Sequence, residues 1–395
     1  MIRYEYFVIL FCIIHLSYAN LRNESPEYQK FINQAGYNFE EYSITAEDGY
    51  ILSIWRIPSV ITQRNANPTP IILQHGLLDD SWTWFMLKDK RSLPYLLVDS
   101  GYDVWVPNIR GNMFSMGNTD PTKDSRNPFG PYWNFSFSDM SDYDLPAFVN
   151  FIKSRTGFDK IDYIGHSQGT TIFFLKYMAD QQFIQNNIKK FVAIGPVPSV
   201  SYISSKIVKS LAEKSRFKKY YPLLNALNLG KTMGKLFSII CGKLYSVCQL
   251  VVESIAAEGI TGRINYQDMA KLYLFEPGGT SKQNVEHWLQ CYTNKRMERF
   301  DFGKEENMKK YGTEYPPVYD TNILKKWDID TFITVSNTDP FSSETDVYNF
   351  INNVEDQSKI HVLKLNNYNH LDYLWAECSK EEIYEPILEF LQKDN

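Results

Sequence analysis

Short apolar runs along the chain alternate with stretches in which apolar residues recur at helical spacing. The first two runs flank Asp48-Gly49 and predict a β-hairpin within residues 42–58, because an Asp-Gly turn between alternating strands is typical of hairpins. Later runs predict strands at 71–74, 103–106, 160–164, 190–194, 330–335 and 360–365. Strands that alternate with helices over such lengths predict an α/β fold with a mostly parallel sheet covered by helices on both faces.

One long interval interrupts this alternation. Residues 196–326 are mostly helical in period and form too long a connection for a simple crossover between strands. We therefore predict a helical cap or lid of residues 196–300. It is inserted into a core that consists of residues 20–195 and 301–395.

A sharp turn joins the strand before Gly165 to the helix after Gly169. This Gly-x-Ser-x-Gly turn is the nucleophile elbow, in which only glycine permits the backbone to fold tightly enough to expose the serine hydroxyl. The N-terminus of the following helix favours developing negative charge near Ser167. We predict that Ser167 is a catalytic nucleophile. The alternative is an ordinary turn in which the serine caps the helix.

A nucleophilic serine needs a histidine that takes its proton. The histidines after Ser167 are His287, His361 and His370. His370 follows the strand predicted at 360–365, where a loop delivers a base to the sheet edge. His361 lies inside that strand, where a structural role suits it better. His287 lies in the predicted cap, where packing or substrate contact suits it better. We predict His370 as the general base.

The histidine is in turn oriented by a carboxylate, which lies between the serine and the histidine in sequence in α/β hydrolases. Asp339 follows the strand that ends at Val335 by a short turn, at the carboxyl end of that strand. Asp346 falls in the next predicted helix and Asp372 follows His370 too closely. We predict Asp339 as the acid, the alternative being a turn residue or a helix cap.

Ester hydrolysis also needs hydrogen-bond donors for the oxyanion of the tetrahedral intermediate. The backbone N–H of Gln168, directly after the nucleophile, is one predicted donor. The backbone N–H of Leu77 is the second, since His75-Gly76 before it permits a close approach. This chemistry requires no metal and no cofactor, and we predict neither.

Composition narrows the range of partners. Hydrophobic residues make up 44% and charged residues 22% of the chain, which is typical of a globular protein. The formal net charge of -5 gives no support to a nucleic-acid partner, because a polyanion would be repelled.

The N-terminus carries an apolar run at 7–16 followed by Ser17-Tyr18-Ala19. This pattern predicts a secretory signal peptide, residues 1–19, cleaved after Ala19. A signal anchor is the alternative, but the run is short for a membrane span, so we predict no stable transmembrane anchor. The expected location is outside the cell or in the lysosomal lumen.

That location is oxidising, so the remaining cysteines are candidates for disulfides. We favour a local Cys241–Cys248 bridge. Four cysteines allow three pairings, and whether the other two pair is left open. Two sequons make Asn23 and Asn134 candidate glycosylation sites, although Pro26 weakens the first. The four cysteines after the signal peptide are Cys241, Cys248, Cys291 and Cys378.

Together, these motifs resemble those of the acid lipase family of α/β hydrolases, the group that contains gastric lipase and lysosomal acid lipase. The resemblance extends from Gly36 to the C-terminus. It implies an α/β-hydrolase fold with a helical cap, and it matches Ser167, Asp339 and His370 to the catalytic triad and Leu77 and Gln168 to the oxyanion donors. The matching motifs are 45–58, 74–78, 110–112, 143–147, 165–170, 277–281, 287–288 and 368–376.

The family hydrolyses triacylglycerols and cholesteryl esters, so the resemblance implies a lipase that acts on neutral lipid at a lipid–water interface. Two departures from the family are present. Ser336-Asn337 stands where the family usually has a Gly-Gly pair, and Ser343 stands where it usually has an aspartate. The cap is also divergent, with a shorter cysteine spacing than in the gastric enzyme.

Residues 201–245 reverse the charge balance of the chain, with nine basic side chains against one acid, Glu213. This excess predicts that the cap approaches anionic lipid surfaces, each charge contributing up to roughly 1 kcal/mol. The alternative is a solvated helix face. The basic residues are Lys206, Lys209, Lys214, Arg216, Lys218, Lys219, Lys231, Lys235 and Lys243.

The leading interpretation is a secreted or lysosomal serine hydrolase that acts on triacylglycerols, cholesteryl esters or both through an acyl-enzyme. One alternative is an esterase for smaller, soluble esters. Another is a lipid-binding or transport protein that has lost turnover. A complete triad argues against the latter, because a binding protein has no need of Asp339 or His370.

Overall fold

A large mixed sheet forms the centre of the molecule. The computed structural model describes residues 26–59, 68–213, 226–227, 262–265 and 277–393. The strand order is β1-β2-β4-β3-β6-β7-β10-β11, β5 pairs with β2, and β8 and β9 form a separate pair. The strands are β1 (Glu40–Thr45), β2 (Tyr50–Ile57), β3 (Pro70–Gln74), β4 (Asp103–Pro107), β5 (Gly117–Asn118), β6 (Ile161–His166), β7 (Ile188–Ile194), β8 (Ala226–Leu227), β9 (Thr280–Ser281), β10 (Asp330–Ser336) and β11 (Ile360–Leu365).

Most strand pairs of this sheet are parallel. Every neighbouring pair from β4 through β3, β6, β7 and β10 to β11 runs parallel. The β1–β2 hairpin, the β2–β4 pair and the β2–β5 pair are antiparallel. Both the predicted hairpin and the predicted, mostly parallel α/β sheet are confirmed.

Helices connect the strands and cover the sheet. The α-helices are α1 (Pro26–Gln34), α2 (Leu93–Asp99), α3 (Phe137–Asp139), α4 (Leu145–Thr156), α5 (Gln168–Ala179), α6 (Gln181–Asn187), α7 (Lys206–Glu213), α8 (Lys282–Asn294), α9 (Lys304–Tyr311), α10 (Glu344–Asn353), α11 (Asp372–Trp375) and α12 (Glu385–Gln392). Short 3₁₀ helices lie at Ser81–Phe85, Pro131–Trp133, Thr321–Lys326 and Gln357–Lys359, and π-helical turns lie at Met140–Asp144 and Lys380–Tyr384. Within the described residues, no helix is both long and apolar enough to span a bilayer.

Two hydrophobic layers lie on opposite faces of the sheet, because successive strand residues point in opposite directions. Trp105 and Tyr163 belong to one layer, with α4, α5 and α10. Val104 and Ile164, their neighbours in sequence, belong to the other layer, with α1, α2 and α12. The sheet is thus buried on both faces, which explains why its central strands are continuous apolar runs rather than alternating ones.

The predicted cap falls largely outside the described residues. Of residues 196–300, the structure describes 196–213, 226–227, 262–265 and 277–300, which include α7, the β8–β9 pair and α8. The signal peptide at 1–19, Asn23, and the Cys241–Cys248 candidate also lie outside the described residues. The basic stretch 201–245 is described in its first 13 residues and at 226–227.

Two of the predicted modification sites are described. Asn134 is exposed, so its side chain is accessible to glycosylation, which stays a prediction. Cys291 and Cys378 are both free thiols, so the pairing left open by the sequence is absent here. Cys291 is buried, and burial raises the pKa of its thiol to about 12.

Candidate active site

Ser167 occupies the tight turn between β6 and α5. Its backbone has φ 53° and ψ -120°, a conformation rare for a residue with a side chain. A methyl group at Gly169 would lie 2.5 Å from the carbonyl oxygen of Gln74, and one at Gly165 would lie 2.9 Å from the carbonyl carbon of Gly169. The two glycines therefore let the helix pack directly on the strands, which leaves the serine at the tip of a strained turn.

His370 lies in the loop between β11 and α11, and its Nε2 is 2.7 Å from Ser167 Oγ. Local hydrogen bonds shape this loop. The Asn369 side chain accepts the backbone N–H groups of Leu371 and Asp372, and the Asp372 side chain accepts that of Asn369. Asp372, a competing candidate acid in the sequence, therefore fixes the loop that carries His370, the predicted base.

Asp339 lies in the loop after β10, and its Oδ2 is 2.8 Å from His370 Nδ1. Its other oxygen accepts the backbone N–H groups of Phe341 and Ser342 at 2.8 and 2.9 Å. The carboxylate is buried, so these donors replace the water that it would otherwise bind. The structure thus brings the hydroxyl, the imidazole and the carboxylate into one line of hydrogen bonds, the arrangement that activates a serine.

The other sequence candidates for base and acid lie elsewhere. His361 is exposed on β11, with its ring 5.2 Å from that of Phe390. His287 is buried in α8, and its ring stacks on Phe137 at 4.0 Å. Asp346 accepts the backbone N–H of Tyr202 at 2.8 Å. Each of these side chains therefore has a structural contact away from Ser167.

The two predicted oxyanion donors belong to the segments that flank the nucleophile. Gln168 is the first residue of α5, directly after Ser167. Leu77 follows Gly76, where a methyl group would lie 3.1 Å from Ser167 Cβ, so this loop runs against the nucleophile. Both segments lie next to Ser167, and an anion site there that uses these backbone donors and the positive end of the helix dipole stays a prediction.

Two buried histidines beside the site complete its surroundings. His166 Nε2 donates to the carbonyl oxygen of His370 at 3.1 Å, and burial lowers the pKa of His166 to about 4. His75 Nδ1 donates to the carbonyl of Gly76 at 3.0 Å, while its Nε2 accepts the Ile109 N–H at 3.3 Å. Both rings are therefore neutral and have a structural role beside the site. Sequence reasoning assigned no role to His166.

Sequence reasoning also missed a bridge between two loops: residues 336–343, which carry Asp339 and are called the acid loop, and residues 366–371, which carry His370 and are called the base loop. Ser336 Oγ donates to the carbonyl of Tyr368 at 2.7 Å, and Thr338 Oγ1 donates to the same oxygen at 3.0 Å. Asn337 Oδ1 accepts the backbone N–H of Asn367 at 3.0 Å. The departure from the Gly-Gly pair was a signal in the sequence, since glycines could not form these side-chain bonds.

Comparisons with known proteins give a consistent result. A family model described as "alpha/beta hydrolase fold" matches residues 69–377, and one described as "Partial alpha/beta-hydrolase lipase region" matches residues 28–88. The chain is 32% identical to human lipase member K, with 94% of this chain and 93% of the relative covered. It is 31% identical to the gastric triacylglycerol lipase of Bos taurus, with 98% of each covered.

A solved structure supports the fold alone. An esterase from Exiguobacterium antarcticum superposes with a TM-score of 0.51 at 15% identity, covering 89% of this chain and 98% of that chain. Among the described residues, no group of His, Cys, Asp or Glu side chains is arranged to hold a metal ion.

Proposed function

The chain belongs to the acid lipase family of α/β hydrolases, and from this premise we propose that it hydrolyses triacylglycerols, cholesteryl esters or both. The observation that carries the proposal is the line of hydrogen bonds from Ser167 Oγ through His370 to Asp339. The relative named gastric triacylglycerol lipase supports a triacylglycerol substrate.

In the acylation step, His370 Nε2 takes the hydroxyl proton as Ser167 Oγ attacks the ester carbonyl carbon. Asp339 accepts the Nδ1–H of the ring, which holds the tautomer that leaves Nε2 free to accept and stabilises the imidazolium that forms. The backbone N–H groups of Leu77 and Gln168 bind the resulting oxyanion. When the intermediate collapses, the alcohol leaves with the proton from His370.

In the second half of the reaction, a water molecule takes the place of the alcohol. His370 removes a proton from the water, which attacks the acyl carbon of the acyl-Ser167 ester. Collapse of this second tetrahedral intermediate releases the fatty acid and returns the proton to Ser167 Oγ. The same three side chains and the same two donors serve both halves.

The test is fatty-acid release from a long-chain triacylglycerol emulsion and from a cholesteryl ester, each at mildly acidic and at neutral pH. Ser167→Ala is the control, since it removes the nucleophile and leaves the hydrophobic layers intact. We expect release by the wild-type protein that Ser167→Ala abolishes. Equal release by the two proteins, or none by either, would contradict the proposal.

The alternatives predict different outcomes of this assay. A catalytically weak lipid-binding protein would release no fatty acid and would retain lipid after purification. An esterase for small esters would hydrolyse p-nitrophenyl butyrate but neither emulsion. The hydrogen-bonded Ser167–His370–Asp339 line favours turnover over binding alone, since binding does not require it.

We further propose that residues 1–19 form a signal peptide and that the mature protein acts outside the cell or in the lysosomal lumen. The apolar run and the small residues before Ala19 support this. Exposed Asn134 supports glycosylation in the secretory pathway, with Asn23 a second candidate, and Cys241–Cys248 is the candidate disulfide. N-terminal sequencing of the secreted protein tests the cleavage site, and endoglycosidase digestion tests the glycosylation.

The last proposed property is contact between the cap and anionic lipid. The support is the charge of residues 201–245, of which Lys206 and Lys209 are described and exposed on α7. Replacing four lysines of this stretch by glutamate should weaken adsorption to anionic vesicles at low salt and leave hydrolysis of a soluble ester unchanged. Unchanged adsorption would remove this proposal without affecting the hydrolase.

A further inference from the structure

Residues 278–288, the support segment, contact both sides of the oxyanion site. At one end, the backbone N–H of Gly278 donates to the carbonyl of Leu78 at 2.7 Å. At the other end, Trp288 Nε1 donates to Gln168 Oε1 at 2.8 Å. One short stretch of chain therefore touches the loop that carries the first predicted donor and the residue that carries the second.

The Leu78 contact holds a turn in an uncommon conformation. Leu78 has φ 62°, and it directly follows Leu77. A methyl group at Gly278 would lie 2.7 Å from the carbonyl oxygen of Asp79, so the two segments pack with no room for a side chain. Gly278 is itself fixed from the far side, because its carbonyl accepts the N–H of Met113 at 2.9 Å. The turn at Leu78, next to the Leu77 amide, is thus held from two sides of Gly278.

The support segment also holds the side chain of Gln168, the residue whose backbone N–H is the second predicted donor. Gln168 is 1% exposed, and its Oε1 accepts from Asn284 Nδ2 at 2.9 Å as well as from Trp288. Its Nε2 lies 3.5 Å from the sulfur of Met140. A buried amide with both ends in contact cannot turn without losing hydrogen bonds, so the backbone N–H of the same residue is held in one direction.

Asn284 ties the support segment to the core. It is fully buried, its Oδ1 accepts the N–H of Phe137 at 2.7 Å, and its Nδ2 also donates to Thr280 Oγ1 at 3.0 Å. Its own N–H is held by Ser281, which caps α8. These bonds place the donor to Gln168 on an element that is anchored independently of Ser167.

We propose that the support segment positions both oxyanion donors, Leu77 through Leu78 and Gln168 through its side chain, so that Asn284 and Trp288 are positioning residues for transition-state stabilisation. This inference rests on the proposed hydrolase function. Preorganised donors act on the charge that develops in the transition state and not on the bound ester. Loosening them should therefore lower kcat and leave KM for a soluble ester almost unchanged.

The experiment compares Trp288→Phe with Trp133→Phe. Both variants remove one indole N–H, but that of Trp133 donates to the carbonyl of Ser125, away from the site. Two quantities are measured: kcat and KM for p-nitrophenyl butyrate, and the inhibition constant of an alkyl trifluoromethyl ketone. Ser167 Oγ adds to the carbonyl carbon of this ketone while His370 takes the proton, and the hemiketal oxyanion then occupies the donor site.

We expect Trp288→Phe to lower kcat about tenfold and to weaken the ketone by a similar factor, with Tm and KM close to those of Trp133→Phe. Gln168→Met keeps the backbone N–H, removes the acceptor, and should have the same effect. The double variant should lose no more than either single variant. Gln168→Met alone is the test if Trp288→Phe folds poorly.

Three results would overturn the inference. Equal ketone affinity in Trp288→Phe and Trp133→Phe would contradict the positioning role while leaving the hydrolase intact. Fully additive losses in the double variant would mean that Trp288 and Gln168 act separately. A wild-type protein that hydrolyses no ester would contradict the proposed function itself, and with it any oxyanion role of the support segment.

Discussion

At the scale of single residues, a substitution of Asp339 can reverse the direction of one hydrogen bond and keep the shape of the side chain. Asp339→Asn keeps an oxygen for the N–H groups of Phe341 and Ser342 but turns an amide donor toward His370 Nδ1. The ring then carries its proton on Nε2 and cannot accept the proton of Ser167. We expect kcat to fall about 10³–10⁴-fold in an ester-hydrolysis assay at neutral pH, with little change in KM.

Asp346→Asn is the control for that substitution, because Asp346 is also a buried carboxylate but accepts from Tyr202. Its kcat should stay within a few-fold of the wild-type value. A loss below tenfold in Asp339→Asn would contradict the assignment of the acid.

Gly169 tests the close packing of the elbow. Gly169→Ala places a methyl group 2.5 Å from the carbonyl oxygen of Gln74, so α5 must move away from β3 and carry the elbow with it. We expect a loss of about 1–3 kcal/mol in stability together with a large loss of kcat. Gly157→Ala, at the end of α4 where a methyl group meets no atom, should cost stability but not kcat. Equal kcat in the two variants would contradict the packing argument.

The linear sequence was sufficient to select the candidate residues themselves. Ser167 stands in a motif whose geometry is local, and His370 and Asp339 follow strands in the order that the chemistry needs. The sequence could not reveal that Ser336 bonds to both the carbonyl and the N–H of Tyr368, which lies 32 residues later. Such a contact depends on how closely two loops approach, which no periodicity encodes.

At the scale of elements, the acid loop and the base loop act as one unit because side chains bridge them. Replacing Ser336 and Asn337 together by alanine removes their bonds to Tyr368 and Asn367 without adding glycine flexibility, and it leaves the bond from Thr338 to Tyr368 in place. We expect about a tenfold fall in kcat for a soluble ester with KM unchanged, since the distance between Asp339 and His370 is held less firmly.

The control for this pair is Ser154→Ala, which removes a surface hydroxyl of α4. Among the described contacts, this hydroxyl bonds only to the carbonyl of Phe151 in the same helix. It should leave kcat and Tm unchanged. If the double alanine variant keeps the full kcat, Ser336 and Asn337 are structural substitutes for the family's glycines and do not align the triad.

Element prediction succeeded where the signal was periodic and local. The strand expected at 360–365 is β11. The helical pattern of residues 142–156, with Pro146 in its first turn, predicts the helix that the structure shows as α4. The helical conformation before α4 begins earlier than expected, at Phe137, and passes through a π-helical turn at Met140–Asp144. That turn depends on tertiary contacts, among them Ser141 Oγ donating to the carbonyl of Ile172 in α5.

At the scale of the whole molecule, contacts between distant parts of the chain were beyond sequence reasoning. Asn284 and Trp288 reach Gln168 across 116 and 120 residues, and the sequence placed them only in the cap. The alternation of strands and helices gave the class of fold, because it follows from which faces must be buried. It carried no information on which residues of the 196–300 interval return to the core.

Buried ionisable groups give the stability of the molecule two opposing pH dependences. Burial lowers the pKa of His166 to about 4, from 6.5, so its neutral form contributes stability above pH 6.5 that is lost as pH falls through about 4. Burial raises the pKa of Asp162 in β6 from 3.8 to about 6, against the opposing effect of Lys189 and Lys190. Its protonated form contributes stability below pH 3.8 that is lost as pH rises through about 6.

Asp162→Asn removes the second dependence, because an amide stays neutral at every pH. The gain in unfolding free energy of the variant over wild type should grow by about 2 kcal/mol between pH 4.5 and pH 7.5, since one pKa unit is worth about 1.4 kcal/mol. Urea denaturation at the two pH values measures this gain. The control is Asp159→Asn, which removes an exposed carboxylate three residues earlier. Its difference in unfolding free energy from wild type should be the same at both pH values. A gain for Asp162→Asn that does not change with pH, or that shrinks as pH rises, would mean that this carboxyl is ionised in the folded protein and is compensated by its lysine neighbours.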